Sequence, residues 1–157
     1  MSIAPEKLAG DWTLDSGVGF LIRLIEARYE ALYREYTAQE SITPRQFGVL
    51  IALHQRGSLT LTELASAVNA DRATLGEMVK RMHERQLVHR RNNGRDARSY
   101  EISLTARGRK ILLELVSGAA RLQDAFLAPV HPDKRQEFLD HLRAVAYGAA
   151  MDGRAQQ

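Results

Sequence analysis

The stretch from Leu59 to Thr105 leaves this chain few folds to choose from. Thr60 followed by Glu63 is a capping-box pattern that starts a short helix. Leu61, Leu64, Ala65 and Val68 then fall on one face at helical spacing. Asn69 stands where the chain must turn sharply, and asparagine tolerates the left-handed conformation better than most non-glycine residues. Asp71 is a good N-cap for a second helix, whose inward face reads Leu75, Met78, Val79 and Met82. Arg72, Ala73, Thr74, Gly76, Glu77 and Lys80 are left pointing elsewhere. Two short helices in this relation can lay the second in a DNA major groove. The same pattern also fits a plain helical hairpin with a solvated charged face.

The residues downstream favour the groove-binding alternative. Leu87-Val88-His89-Arg90 and Ser99-Tyr100-Glu101-Ile102-Ser103-Leu104 have strand-like composition. Between them runs a basic turn holding Arg91, Asn92, Asn93, Gly94, Arg95, Asp96 and Arg98. A projecting basic hairpin can reach the minor groove. Seven Lys or Arg lie between Lys80 and Arg98, against only Glu84 and Asp96. That local cluster says more about a nucleic-acid partner than the overall charge of +3 does.

Here the chain resembles the winged helix-turn-helix regulators of the MarR (multiple antibiotic resistance regulator) family. The family signature is an Asp-x-Arg at the wing, then Leu-Thr and a Gly. Asp96, Arg98, Leu104, Thr105 and Gly108 stand at the matching spacing. The resemblance covers about 17 to 147 and is strongest over 42–108. It implies a mainly α fold with a small β-wing and six helices. Residues 42–104 would be the DNA-binding lobe of a single 157-residue protomer. Segments 14–38 and 105–150 would be dimerisation helices, those of two chains interdigitating into a triangular homodimer.

Outside that centre, residues 1–13 show no periodicity and read as an irregular arm, with Trp12 packed on a partner surface. A first helix starts near Asp15 or Ser16, with Val18, Leu21, Ile22, Ile25, Tyr29, Leu32 and Tyr36 in its stripe. Leu24, Ala27 and Ala31 widen it, and a helix with more than one apolar face contacts more than one neighbour. Thr43-Pro44 opens the next helix. Its inward side is Phe47, Leu50, Ile51 and His54, Gly57 ends it, and Ser58-Leu59-Thr60 extends to pair with the wing. A long helix from Thr105 to Leu127 carries Ile111, Leu112, Leu115, Val116, Ala119, Leu122 and Phe126. Pro129 stops it, and a last helix presents Phe138, Leu139, Leu142, Val145 and Ala146.

Several chemistries lack their residues. There is no cysteine, hence no disulfide or thiol switch. No apolar run approaches the ~20 residues of a membrane span, and no secretory signal is visible. A cytoplasmic location is the expectation. His83-Glu84 begins like a zinc-protease motif, but Leu87 stands where the second histidine belongs. Gly17-Val18-Gly19 lacks the third glycine of a dinucleotide fingerprint, and His131 and His141 lack partners at metal-ligand spacing. No enzyme and no cofactor is expected.

These readings converge on a homodimeric, sequence-specific transcriptional regulator, a repressor rather than an activator. Arg72, Ala73, Gly76 and Lys80 are the candidates for the base-facing surface, with Thr74 on a phosphate. Glu77 either accepts from a cytosine amino group or pairs with Arg81. Arg91, Arg95 and Arg98 are the wing's candidates, Arg95 at the tip. Asp96 and Arg98 have an alternative role, an ion pair bracing the wing, which the resemblance favours for Asp96.

The resemblance also implies a small-molecule effector. Gly19-Phe20-Leu21-Ile22-Arg23 is similar to the first-helix segment of members that sense aromatic carboxylates, where an arginine holds the acid. Arg23, Tyr29 and Tyr33 are therefore candidate ligand residues for an aromatic acid or its coenzyme A thioester. The alternative makes Arg23 a surface or interface residue and the tyrosines core. A nucleoid-type structural DNA-binding dimer without an effector is the rival function.

Overall fold

The computed structural model describes residues 13–37, 41–92 and 100–148. After a 3-10 turn at Leu14–Ser16, the α-helices are α1 Val18–Tyr36, α2 Pro44–Arg56, α3 Leu61–Ala67, α4 Arg72–Glu84, α5 Ala106–Leu127 and α6 Arg135–Tyr147. Strands β1 Leu59–Thr60, β2 Val88–Asn92 and β3 Tyr100–Leu104 form one antiparallel sheet in the order β1-β3-β2. Leu59 pairs with Ile102, while β2 and β3 pair from Val88 opposite Leu104 to Asn92 opposite Tyr100. The fold is a winged helix-turn-helix with flanking helices.

The chain divides into two compact units, one spanning Tyr33–Ala120 and the other taking in the described residues up to Leu32 and from Arg121 on. The larger unit holds one core, in which Leu50, Leu53, Leu64, Leu75, Met82, Leu87, Val88, Ile102 and Leu112 are sealed from solvent. Its helices begin as their sequences require. Thr43 and Gln46, and Thr60 and Glu63, form reciprocal capping boxes. Asp71 accepts from the Thr74 backbone N–H at 2.8 Å. The helix ends are equally specific. After α3, the Ala70 N–H bonds the Ala65 carbonyl and the Asn69 N–H the Ser66 carbonyl, with Asn69 left-handed at φ 48°. After α4, Leu87 bonds back to Met82 and Gln86 to His83, with Gln86 left-handed at φ 59°. Both are Schellman ends closed without glycine.

The Gln86–Leu87 segment receives the start of α5. The Thr105 hydroxyl donates to the Gln86 carbonyl at 2.6 Å and accepts from the Gly108 N–H at 2.8 Å. The Thr105 N–H bonds the Leu87 carbonyl. A Cβ on Gly108 would stand 2.9 Å from the Leu87 carbonyl carbon and closer still to its oxygen. Further along α5, a Cβ on Gly118 would collide with the Tyr36 carbonyl in the same way.

The smaller unit is more open. Arg28 donates to the Ala125 carbonyl, Tyr29 meets Phe126 edge-to-face at 6.2 Å, and Leu122 and Leu127 are buried. Val18 is 66% and Val145 74% exposed, and Leu21, Ile22, Leu24 and Tyr147 also face solvent.

Several expectations are corrected. The first α-helix starts at Val18 because Gly17 is extended and separates it from the 3-10 turn. In α2 the buried side is Gln46, Val49, Leu50, Ala52 and Leu53, with Phe47 and Ile51 at its edge and His54 exposed. The face is rotated because α2 packs against both β3 and α3. Strand β2 begins one residue late, since Leu87 is spent on the helix end, and it runs on to Asn92 because Tyr100 is there to pair. Val116 is exposed. Trp12 lies outside the described residues.

The glycine contacts give a paired prediction. Gly108→Ala should lower stability by about 1–3 kcal/mol, as overpacking does. Gly48→Ala, with nothing within 4 Å of its Cβ, should be neutral or stabilise by up to about 1 kcal/mol through helix propensity. Urea titration of both variants decides. Equal stabilities would contradict the close approach of α5 to Leu87.

Candidate nucleic-acid interface

Helix α4 separates its side chains cleanly. Leu75, Met78, Val79 and Met82 are buried, while Arg72, Ala73, Thr74, Glu77, Lys80 and Arg81 are exposed. Gly76 sits at the border, half-buried, and a Cβ there would meet Leu61 of α3 at 3.7 Å. It stands at the edge of the exposed face, beside α3. Glu77 and Arg81 make no ion pair with each other; both extend into water, where such a pair contributes only a few tenths of a kcal/mol.

The N-terminal end of α4 borders a cleft of about 490 Å³ between the helix-turn-helix elbow and the start of α2. Arg45, Asn69, Asp71 and Thr74 supply its polar rim, with Val49 and Met78 among its apolar walls. At the other end of α4, the His83 ring Nδ1 lies 3.0 Å from the Val88 carbonyl. A carbonyl accepts, so this nitrogen carries the proton, and the histidine fastens α4 to β2. Arg85 donates to both the carbonyl and the hydroxyl of Ser41.

The wing's two faces differ. Val88 and Arg90 share one with Leu104, Ile102 and Tyr100; His89 and Arg91 share the other with Ser103 and Glu101. Arg91 is exposed and directly opposite Glu101. Arg90 lies on the core face, its guanidinium 4.6 Å from the centre of the Tyr100 ring. Arg90 is not among the residues expected from sequence to meet DNA. Strand alternation is the signal that could have singled it out, since it puts Arg90 on the side of Val88. Arg95, Asp96 and Arg98 lie outside the described residues, and with them the expected ion pair.

On α1, Arg23 is exposed and its guanidinium folds back to within 3.7 Å of where a Gly19 Cβ would stand. Tyr29 is half-buried against Phe126, and burial raises its phenol pKa. Tyr33 is buried, its ring 6.4 Å from that of Phe47. The structure thus gives the tyrosines packing partners and leaves Arg23 in solvent.

Comparison with known proteins agrees with this architecture. The family model described as "MarR family" matches residues 42–100. The HTH-type transcriptional repressor NicR of Pseudomonas putida is 28% identical over 126 residues, 80% of either chain. BpsR of Bordetella bronchiseptica, solved in work on regulation of its DNA binding by 6-hydroxynicotinic acid, superposes with TM-score 0.78 at 25% identity, over 86% of this chain and 97% of BpsR. The PcaV transcriptional regulator of Streptomyces coelicolor superposes with TM-score 0.73 at 30% identity, over 84% of this chain and 96% of PcaV. In complex with its natural ligand PcaV gives TM-score 0.80 at 27% identity, over 93% and 97%.

This chain belongs to the MarR family. Two residues of the MarR signature now have a physical role: Thr105 caps α5 while gripping Gln86, and Gly108 admits the Leu87 carbonyl. MarR proteins are transcriptional regulators. No helix among the described residues is long and apolar enough to cross a membrane.

The Asp71 cap yields a pH prediction. Hydrogen bonds from Thr74 hold its carboxyl below the ordinary aspartate pKa. The ionised cap therefore stabilises α4 above the unfolded-state value of about 3.9. That contribution is lost as pH falls through the depressed folded-state value. Asp71→Asn keeps an acceptor but removes the titration. The urea-midpoint difference between parent and Asp71→Asn should hold near neutrality and shrink below about pH 4. A difference that stays constant to lower pH would show that the carboxylate does not cap the helix.

Proposed function

We propose that this MarR-family chain is a sequence-specific DNA-binding repressor that works in the cytoplasm as a homodimer and is released from a palindromic operator by a small aromatic acid or its coenzyme A thioester. It is a binding protein and not an enzyme. Residues 42–104 form the DNA-binding lobe, and 14–38 with 105–150 supply self-association. The observation that carries the reading is the exposed face of α4. Arg72, Ala73, Thr74 and Lys80 stand free on a helix fixed at its start by Asp71 and at its end by Gln86 and Leu87. Gly76 contributes at the edge of that face. Arg91, Arg95 and Arg98 extend the contact from the wing to the phosphates and minor groove. The NicR repressor and the regulated DNA binding of BpsR support the assignment.

Self-association is supported by the exposed Val18, Leu21, Ile22, Val145 and Tyr147, large apolar side chains of the kind that interfaces cover. Sedimentation should give a dimer at micromolar concentration. The effector reading rests on BpsR with 6-hydroxynicotinic acid and PcaV with its natural ligand. Arg23 would hold the carboxylate with its planar fork, and Tyr29 and Tyr33 would flank the ring.

Footprinting on DNA upstream of the chain's own coding sequence tests the core claim. A protected two-fold symmetric site is expected, its half-sites about one helical turn apart. Diffuse protection would favour a nucleoid-type protein instead. At the mapped site Arg72→Ala should cost about 1–3 kcal/mol. If it binds like the parent, α4 does not read the bases.

The acid response has its own test. Benzoate-like and nicotinate-like acids should weaken operator binding about 5–150-fold, the usual range of such coupling. Arg23→Ala should bind the operator like the parent yet lose affinity for the acid by about 1.5–3 kcal/mol. An unchanged response to an acid that releases the parent would remove Arg23 from the site.

A further inference from the structure

Arg90 and Tyr100 are a pair that neither the family signature nor the reading of α4 uses. They sit diagonally across β2 and β3, since Arg90 is opposite Ile102 and Tyr100 opposite Asn92. Their shared face is the one on which Val88 and Ile102 are sealed in the core. Strand β2 packs against α4. Arg90 is thus the first residue along this face to leave the core, on the strand that flanks the DNA-reading helix. It is half-buried, and its guanidinium lies over the Tyr100 ring, which is itself 40% exposed. Among the described residues no carboxylate pairs with Arg90; Glu101 is on the opposite face of the sheet.

We propose that Arg90 is a DNA-phosphate contact and that Tyr100 is the positioning residue that holds it ready. An arginine free in solvent must give up side-chain freedom when it meets a phosphate. The ring face attracts the guanidinium and restricts it beforehand. A guanidinium held over a ring keeps N–H groups able to donate to phosphate oxygens. The pair lies where the recognition helix and the wing diverge, so a cation there serves both halves of the interface. The inference rests on the DNA-binding function proposed for the chain.

The test uses the full chain on the upstream duplex and, at low salt, on a mixed-sequence duplex, since phosphate contacts act on both. Arg90→Ala should weaken binding to both duplexes and make the salt dependence shallower by about 0.9 in log–log slope. Tyr100→Leu should weaken binding about 2–5-fold, the span of an exposed cation–π contact, with the slope unchanged because the charge remains. Tyr100→Phe keeps the ring and should restore the parent's affinity. In an Arg90→Ala background, Tyr100→Leu should cost nothing more. Urea midpoints would establish that every variant is folded in the assay. A parent that binds neither duplex would refute the DNA-binding reading itself. If the parent binds and Arg72→Ala weakens it while Arg90→Ala keeps the parent's slope, the phosphate assignment is overturned. An equal loss from Tyr100→Leu with and without Arg90 would overturn the positioning role.

Discussion

The backbone at Gln86 and Leu87 is the joint on which the DNA-facing half of this protein depends. Three elements bond to it: α4 ends there through paired Schellman bonds, β2 begins at the next residue, and α5 is capped onto it by Thr105. The contact is so close that only glycine fits at position 108. Gln86 is exposed while Leu87 is buried, and Thr105 partners both carbonyls: its hydroxyl donates to Gln86 while accepting from Gly108, and its N–H donates to Leu87. The direction of α4, the root of the wing and the axis of α5 are set at this one place.

Much of this is legible in the sequence because it is local. The caps at Thr43, Thr60 and Asp71, the left-handed turn at Asn69 and the buried stripe of α4 depend on residues a few positions apart. The features that sequence does not reveal depend on contacts distant along the chain. Gln86 carries no turn signature, and its left-handed conformation is imposed by Leu87 entering the core and by Thr105 binding its carbonyl. The buried face of α2 is rotated from the one its spacing marks because two neighbours bury it, so amphipathic period no longer picks out a single side. His54, inward by period, is exposed for that reason.

The candidate interface is legible to the same degree. Alternation along β2 separates Arg91 from Arg90, yet a run of basic residues with the composition of a turn hides that separation. The pairing with β3 establishes that β2 is strand as far as Arg91, so that Arg90 continues the face of Val88 and Arg91 opposes Glu101. On α4 the polar face agrees with the helical spacing, but Gly76 stands at its edge, beside Leu61. An added Cβ would make only ordinary contact with Leu61, so the packing of α3 on α4 does not require this glycine; what the glycine does is add no side chain to the exposed surface.

Arg23 poses an energetic problem that bears on the whole effector reading. In the single chain its guanidinium is exposed, folded over Gly19. An ion pair between an exposed arginine and a carboxylate contributes only about 0–1 kcal/mol. Displacing DNA needs a differential of about 1–3 kcal/mol between two states of the protein. Arg23 itself can close the shortfall only if it and the acid leave water together; otherwise the ring contacts must supply it. The residues flanking Arg23 on α1, Leu21, Ile22, Leu24 and Ile25, are apolar and exposed, and a surface that covered them would also strip water from the guanidinium. If a second copy is that surface, acid binding through Arg23 and self-association are one linked equilibrium. Substitutions that polarise Ile22 or Ile25 should then weaken the dimer and the acid response in parallel.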